Sequence, residues 1–213
     1  MVGGGDGFGN AAVGDTADYD ESLKGIYVNL QSGIGRLGDA EGDRLIGIEN
    51  LIGSSHADTL IGNEKRNMIF GRDGNDKIYG GRGVDSLWGG DGDDLLVGGP
   101  DQDWFWGGRG KDRFDISDTQ LGQSDELKTD MIFDYEQGET LIVAPNQRTV
   151  WYRKVSGDPK FGGNKYIYLY NSQEAAVENI YVRLRNFEGT IDPSVFMSDG
   201  IDQAELVQLP DLI

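Results

Sequence analysis

The sequence predicts an all-β chain wound as a coil of short stacked strands, and three observations predict it. Seven nine-residue units run without a break from Gly53 to Asp115: GSSHADTLI, GNEKRNMIF, GRDGNDKIY, GGRGVDSLW, GGDGDDLLV, GGPDQDWFW and GGRGKDRFD. Position one is Gly in every unit. Position eight is always large and apolar: Leu60, Ile69, Ile78, Leu87, Leu96, Phe105 and Phe114.

Each unit divides into a turn and a strand. Glycines in the first half supply positive φ and allow close chain approach. In the second half side chains alternate, so position eight points inward and positions seven and nine outward. Two units complete a coil of 18 residues, and coils stack at about 4.8 Å. Unit n therefore lies directly on unit n+2. No unit buries its apolar residue alone, so stability comes from stacking. Conformational entropy opposes folding by roughly 1–2 kcal/mol per ordered residue. One apolar side chain per nine residues is a thin core against that.

Position six identifies the missing contribution. It is Asp in six units (Asp58, Asp76, Asp85, Asp94, Asp103 and Asp112) and Asn67 in the other. Stacking brings two such side chains to one gap lined by turn carbonyls. That makes an oxygen cage of about six ligands with two negative charges, which suits Ca²⁺. Without a cation the stacked carboxylates repel. The predicted pairs are Asp58 with Asp76, Asp76 with Asp94, Asp85 with Asp103 and Asp94 with Asp112. A weaker gap pairs Asn67 with Asp85. The turn glycines expected to shape the sites are Gly74, Gly81, Gly83, Gly90, Gly92, Gly99, Gly108 and Gly110. Asp101 stands where a further glycine is expected, so its turn is the odd one. About four to five Ca²⁺ ions are expected.

These units resemble the G-G-x-G-x-D-x-U-x repeat of RTX (repeats-in-toxin) proteins. Upstream, residues Asp18–Asn63 resemble the leading segment of the R-modules of secreted alginate (mannuronan) C5-epimerases. The resemblance spans roughly Gly3 to Val143. It implies a right-handed parallel β-roll, Ca²⁺ in the turns, a secreted extracellular protein and export by type I secretion machinery.

Charge distribution agrees with a cation-binding coil. The formal net charge is -18. Residues 1–144 hold 28 acidic against 12 basic residues, and residues 145–188 hold 4 against 7. Four or five calcium ions would return some 8–10 charges. The sign disfavours nucleic acid. With no Cys, disulfides and thiolate sites are excluded. No apolar run approaches the roughly 18 residues of a membrane span. The opening MVGGGDGFGN is no secretory leader and reads as though cut from inside a repeat.

Three regions follow: degenerate roll coils over 1–52, the seven-unit roll over 53–115, and a non-repetitive cap over 116–213. In the first, Gly3–Asp20 reads as a damaged unit with Asp15 and Asp18 at hand. Lys24–Gln31 alternates as a strand. Gln31–Asp43 is a Gly-rich loop whose Asp39, Glu41 and Asp43 either bind one more ion or are simply solvated. Arg44–Ile52 is a degenerate coil with Leu51 inward. In the cap, Met131–Ala144 reads as two short strands around a turn at Gln137-Gly138. Val150–Lys154, Lys165–Asn171 and Asn179–Arg185 also alternate, and Gly157–Asn164 is a loop. A cap is expected because an open roll end exposes its core and strand edges. Asp202–Ile213 is an acidic and apolar tail, expected from the resemblance to form part of a C-terminal secretion signal.

Position nine of even units reads Phe70, Trp88 and Trp106, an outward aromatic ladder flanked by Met68 and Trp104. Odd units carry Ile61, Tyr79, Val97 and Asp115. Either residues 120–197 cover this strip, or it binds a partner, with sugar rings of an extracellular polysaccharide the first candidate. Arg148, Arg153, Lys154, Lys160, Lys165, Arg183 and Arg185 either attract a uronate polymer or offset the acidic roll. The single histidine, His56, reads as a turn residue. No catalytic set assembles by motif, so a non-catalytic module is expected. An adhesin segment is a further possibility for the class.

Overall fold

The computed structural model describes residues 14–117, 130–136 and 139–142, and strand backbone at 149–155, 166–170, 180–185, 196–197 and 205–208. The chain is a parallel β-roll. One sheet is made by β1 (Thr16–Asp18), β4 (Asn50–Ile52), β6 (Met68–Asp73), β8 (Ser86–Asp91), β10 (Trp104–Arg109) and β12 (Asp130–Ile132), in that order. Beyond β12 come β16 (Ile180–Arg185), β15 (Tyr166–Tyr170), β14 (Thr149–Val155) and β18 (Glu205–Gln208). The opposing sheet runs β3 (Ile34–Arg36), β2 (Tyr27–Asn29), β5 (Thr59–Ile61), β7 (Lys77–Tyr79), β9 (Leu95–Val97), β11 (Arg113–Asp115), β13 (Thr140–Ile142) and β17 (Phe196–Met197).

Strand pairing follows the nine-residue period. Leu60 pairs with Ile78, Ile78 with Leu96, and Leu96 with Phe114 in one sheet. Ile69 pairs with Leu87 and Leu87 with Phe105 in the other. All seven position-eight side chains have 0% exposure. The two inner rows meet between the sheets, where the Phe105 and Phe114 rings stand edge to face at 6.0 Å. Leu51 and Val28 extend the rows at the N-terminal end, pairing with Ile69 and Leu60.

Two regions differ in detail from the sequence reading. The loop Gln31–Asp43 contains β3, antiparallel to β2, and a single 3-10 turn, Gly38–Ala40. The strands expected around Gln137-Gly138 do not pair with each other. Each adds in parallel to a different sheet, β12 on β10 and β13 on β11. They form a further coil of the roll rather than a hairpin; residues 137–138 themselves lie outside the described residues. In the cap, β15 runs antiparallel to both β16 and β14, and β16 continues the roll sheet in parallel from β12. The damaged first unit lies largely outside the described residues. Among the described residues no helix is long and apolar enough to cross a membrane.

Candidate metal centre

The position-six side chains form two ladders, one along each line of turns. Each carboxylate reaches back one coil and accepts a backbone N–H through Oδ1. Asp58 donates to Asp76 (2.8 Å), Asp76 to Asp94 (2.8 Å) and Asp94 to Asp112 (3.0 Å). On the other side Asn67 donates to Asp85 (2.7 Å) and Asp85 to Asp103 (2.8 Å). All these residues are at most 3% exposed. The five expected pairs are thus stacked, with a backbone donor between the members of each.

The second carboxylate oxygen explains the fixed glycine. A Cβ on Gly71 would collide with Asp76 Oδ2 and sit 2.6 Å from the Gly89 carbonyl. Gly89 stands likewise against Asp94 Oδ2 and the Gly107 carbonyl, and Gly80 against Asp85 Oδ2 and the Gly98 carbonyl. Position one is glycine for space, because carboxylate and carbonyl oxygens crowd it. Oδ2 of Asp76, Asp85, Asp94 and Asp112 is buried with no hydrogen-bond donor. A buried carboxylate oxygen without a partner is costly. Burial pushes Asp76 up to about 8 and Asp85 and Asp94 up to about 7, from 3.8.

Positions two and four do use positive φ, and only in units three to seven. Gly74, Gly81, Gly83, Gly90, Gly92, Gly99, Gly108 and Gly110 lie between 98° and 147°. Arg72 (85°) and Asp101 (88°) take the same conformation without being glycine. Asp101 therefore keeps the turn shape of its neighbours, at the strain cost of a left-handed non-glycine residue. The glycines stack closely: a Cβ on Gly92 would collide with the Gly74 carbonyl, and one on Gly110 with the Gly92 carbonyl.

Units one and two are built differently, and neither turn has positive φ. Asp58 is saturated by protein donors: Ser54 N–H (2.6 Å), Ser54 Oγ (2.9 Å) and Ile26 N–H (2.7 Å). Asn67 Nδ2 donates to the Glu49 carbonyl (2.7 Å), and its Oδ1 accepts from Asn63 N–H (2.8 Å). The bare oxygens thus begin at Asp76, one coil later than the first Asp of the array.

Sequence reading missed a further coil. Asp103 N–H donates to Asp130 Oδ1 at 2.9 Å, 27 residues away. Asp130, Ile132 and Phe133 occupy positions six, eight and nine of DELKTDMIF (125–133), and Glu139 and Leu141 occupy six and eight of DYEQGETLI (134–142). The spacing is 18 plus one unit length, because residues 116–124 are inserted. Position one of the last unit is Asp134, whose carboxylate accepts from Gly107 N–H (2.9 Å) and Gly108 N–H (3.0 Å). The legible signal was D-x-U-x at Asp130, without the glycines that mark the other turns.

The aromatic ladder is continuous. Phe70 stacks on Trp88 at 4.2 Å (8°), Trp88 on Trp106 at 4.6 Å (9°), and Trp106 on Phe133 at 4.3 Å (7°). Trp104 meets Phe133 edge-on at 6.2 Å. The ladder rings are half-buried. The flat faces of Trp88 and Trp106 are covered by their neighbours, leaving edges as their free surface. Side chains of the seven expected basic residues lie outside the described residues, as does most of the expected cover over the strip.

Other candidate groups are engaged singly. Asp43 accepts from Tyr19 OH (2.8 Å), which with burial pushes the Tyr19 phenol up. Glu41 accepts from Leu37 N–H (2.9 Å). His56 is exposed, its Nδ1 3.4 Å from Ser55 Oγ. Among the described residues no three acidic or histidine side chains converge into an all-side-chain cage. A cation in this roll must therefore take backbone carbonyls or water as well, the donor set Ca²⁺ accepts. The buried, donorless oxygens of Asp76, Asp85, Asp94 and Asp112 fit it; it would supply positive charge and a cross-link between coils.

The RTX calcium-binding nonapeptide repeat family matches residues 52–87 and 88–115. No curated protein matches the chain. Among 28 similar chains of solved structure is the AlgE6R3 subunit of the Azotobacter vinelandii mannuronan C5-epimerase, 22% identical, with a TM-score of 0.30. The alignment covers 67% of this chain and 79% of that one. Bare position-six oxygens, glycine turns of positive φ and the repeat match coincide on one segment: residues 52–115 carry RTX calcium-binding nonapeptide repeats.

Proposed function

We propose that this module is a calcium-dependent folding unit of a secreted protein. The observation that carries it is the row of buried carboxylate oxygens without donors at Asp76, Asp85, Asp94 and Asp112. With these charges uncompensated, the roll is disfavoured; binding to the native state alone becomes folding free energy. A chain unfolded where calcium is scarce suits passage through a type I secretion channel, and folding follows outside the cell. Sites formed between units three and five, four and six, and five and seven combine two position-six carboxylates with turns of positive φ. We assign the strongest ions to these. The Asn67 and Asp58 gaps are weaker, since their own side-chain atoms already have protein partners. A polysaccharide partner would have to use ring edges or ladder ends, because the faces of Trp88 and Trp106 are taken; the folding role is the better supported. Limited proteolysis tests it: the chain should resist cleavage in calcium and be cut throughout the repeats in chelator. Equal resistance in both would contradict the proposal.

A further inference from the structure

The last described coil carries an acidic pair that the nonapeptide motif does not include. Glu139 stands at position six of the unit 134–142, stacked on Asp112 through the pairing of β13 with β11. Glu139 is 2% exposed and Asp112 0%. Glu139 Oε2 accepts from Glu136 N–H at 2.7 Å, and Asp112 Oδ1 accepts from Asp94 N–H at 3.0 Å. The remaining oxygens, Glu139 Oε1 and Asp112 Oδ2, are buried and have no donor. Thr140 N–H donates to the Asp112 carbonyl at 2.8 Å, which sets Glu139 directly over Asp112. Asp134 is itself tied to the amides of Gly107 and Gly108, so it fixes the turn and adds negative field.

We infer that Asp112 and Glu139 hold a divalent cation of the oxygen-ligand class, Ca²⁺ foremost, at a site outside the recognisable repeats. Two facing acceptors sealed from water need a proton or a cation between them. A shared proton would join the two oxygens but leave one negative charge buried on the pair, beside the Asp134 carboxylate. A divalent cation neutralises both charges, with carbonyls or water completing its shell. Glu reaches one methylene further than Asp, which suits a turn lacking the glycines that bring the other coils close. The site would lock the non-consensus coil onto the seventh repeat, making the start of the cap calcium-dependent as well. This inference rests on the repeats being calcium sites.

The test is calcium titration of the full chain by calorimetry, wild type against Glu139→Gln, with Asp76→Asn as a control in the repeats. Gln keeps an acceptor for Glu136 N–H. Glu139→Gln should saturate with one ion fewer than wild type. Unchanged stoichiometry and affinity would overturn the inference. An anomalous difference map of wild-type crystals grown in calcium decides independently of whether any variant folds. A peak beside both the Glu139 and Asp112 carboxylates supports the site. Peaks at the Asp76–Asp94 and Asp94–Asp112 gaps with none at Glu139 overturn this inference alone. No peaks along the roll would remove the calcium reading of the repeats with it.

Discussion

Asp103 donates its backbone N–H to Asp130 Oδ1 at 2.9 Å, although 27 residues separate them and every other rung within the repeat array spans 18. The same chemistry thus recurs across a one-unit insertion. The ladder is a property of stacked turns rather than of uninterrupted sequence.

Replacing Asp130 with Ala removes that acceptor and leaves the Asp103 amide buried without it. The expected loss is about 1–3 kcal/mol. Asp130→Asn keeps an oxygen acceptor and should lose less. Urea unfolding in saturating calcium, comparing both variants with wild type, checks the order. Equal stability of Asp130→Ala and wild type would show that the rung contributes nothing.

Asp101 holds φ at 88° in a place where Gly83, Gly92 and Gly110 stand in neighbouring units. Asp101→Gly should relieve a left-handed conformation costing roughly 1–2 kcal/mol, offset in part by glycine's extra freedom in the unfolded chain. A net gain in melting temperature is expected in calcium. A loss would mean that the Asp101 side chain contributes more than its backbone costs.

The fold was legible because three signals agreed on one period: Gly at one, an acid at six, an apolar residue at eight. The aromatic ladder was legible for the same reason, since position nine of Phe70, Trp88 and Trp106 falls on one face. What escaped was the coil at 130–142. Its turns lack glycine at positions one, two and four, Asp134 replaces the position-one glycine, and residues 116–124 interrupt the count. The inequality among the acidic residues was only partly legible. Asn67 announced itself by identity, whereas Asp58 matched the motif and yet is saturated by Ser54 and Ile26. That difference depends on Ser54 at position two, where later units bear Asn, Arg or Gly.

The ladder predicts a spectroscopic signature. Trp88 lies between Phe70 and Trp106 with both faces covered. Trp88→Ala removes two stacked pairs, each contributing about 0.5–1.5 kcal/mol beyond burial. Near-ultraviolet circular dichroism should lose the coupled Trp88–Trp106 signal, and the calcium-bound melting temperature should fall. An unchanged spectrum would contradict the stacking.

Acidity should act on the ion-free chain in a definite direction. Burial raises Asp76 to about 8 and Asp85 and Asp94 to about 7 in the folded state, against 3.8 unfolded. Between those values the folded state holds protons that the unfolded state has released. Stability of the ion-free roll is therefore fullest below about pH 4 and is lost as pH rises through 7–8. Calcium must displace the same protons, so its apparent affinity should rise with pH over that upper range. Calcium titrations at pH 6, 7 and 8 check this, and a pH-independent affinity would contradict it.

The central claim is that the bare carboxylate oxygens of the repeats require calcium for the roll to form. Far-ultraviolet circular dichroism of the full chain at pH 8, titrated with calcium from chelator to saturation, tests it most directly. The spectrum should be largely unfolded in chelator and gain β signal cooperatively with calcium. A chain equally β-rich in chelator would contradict it.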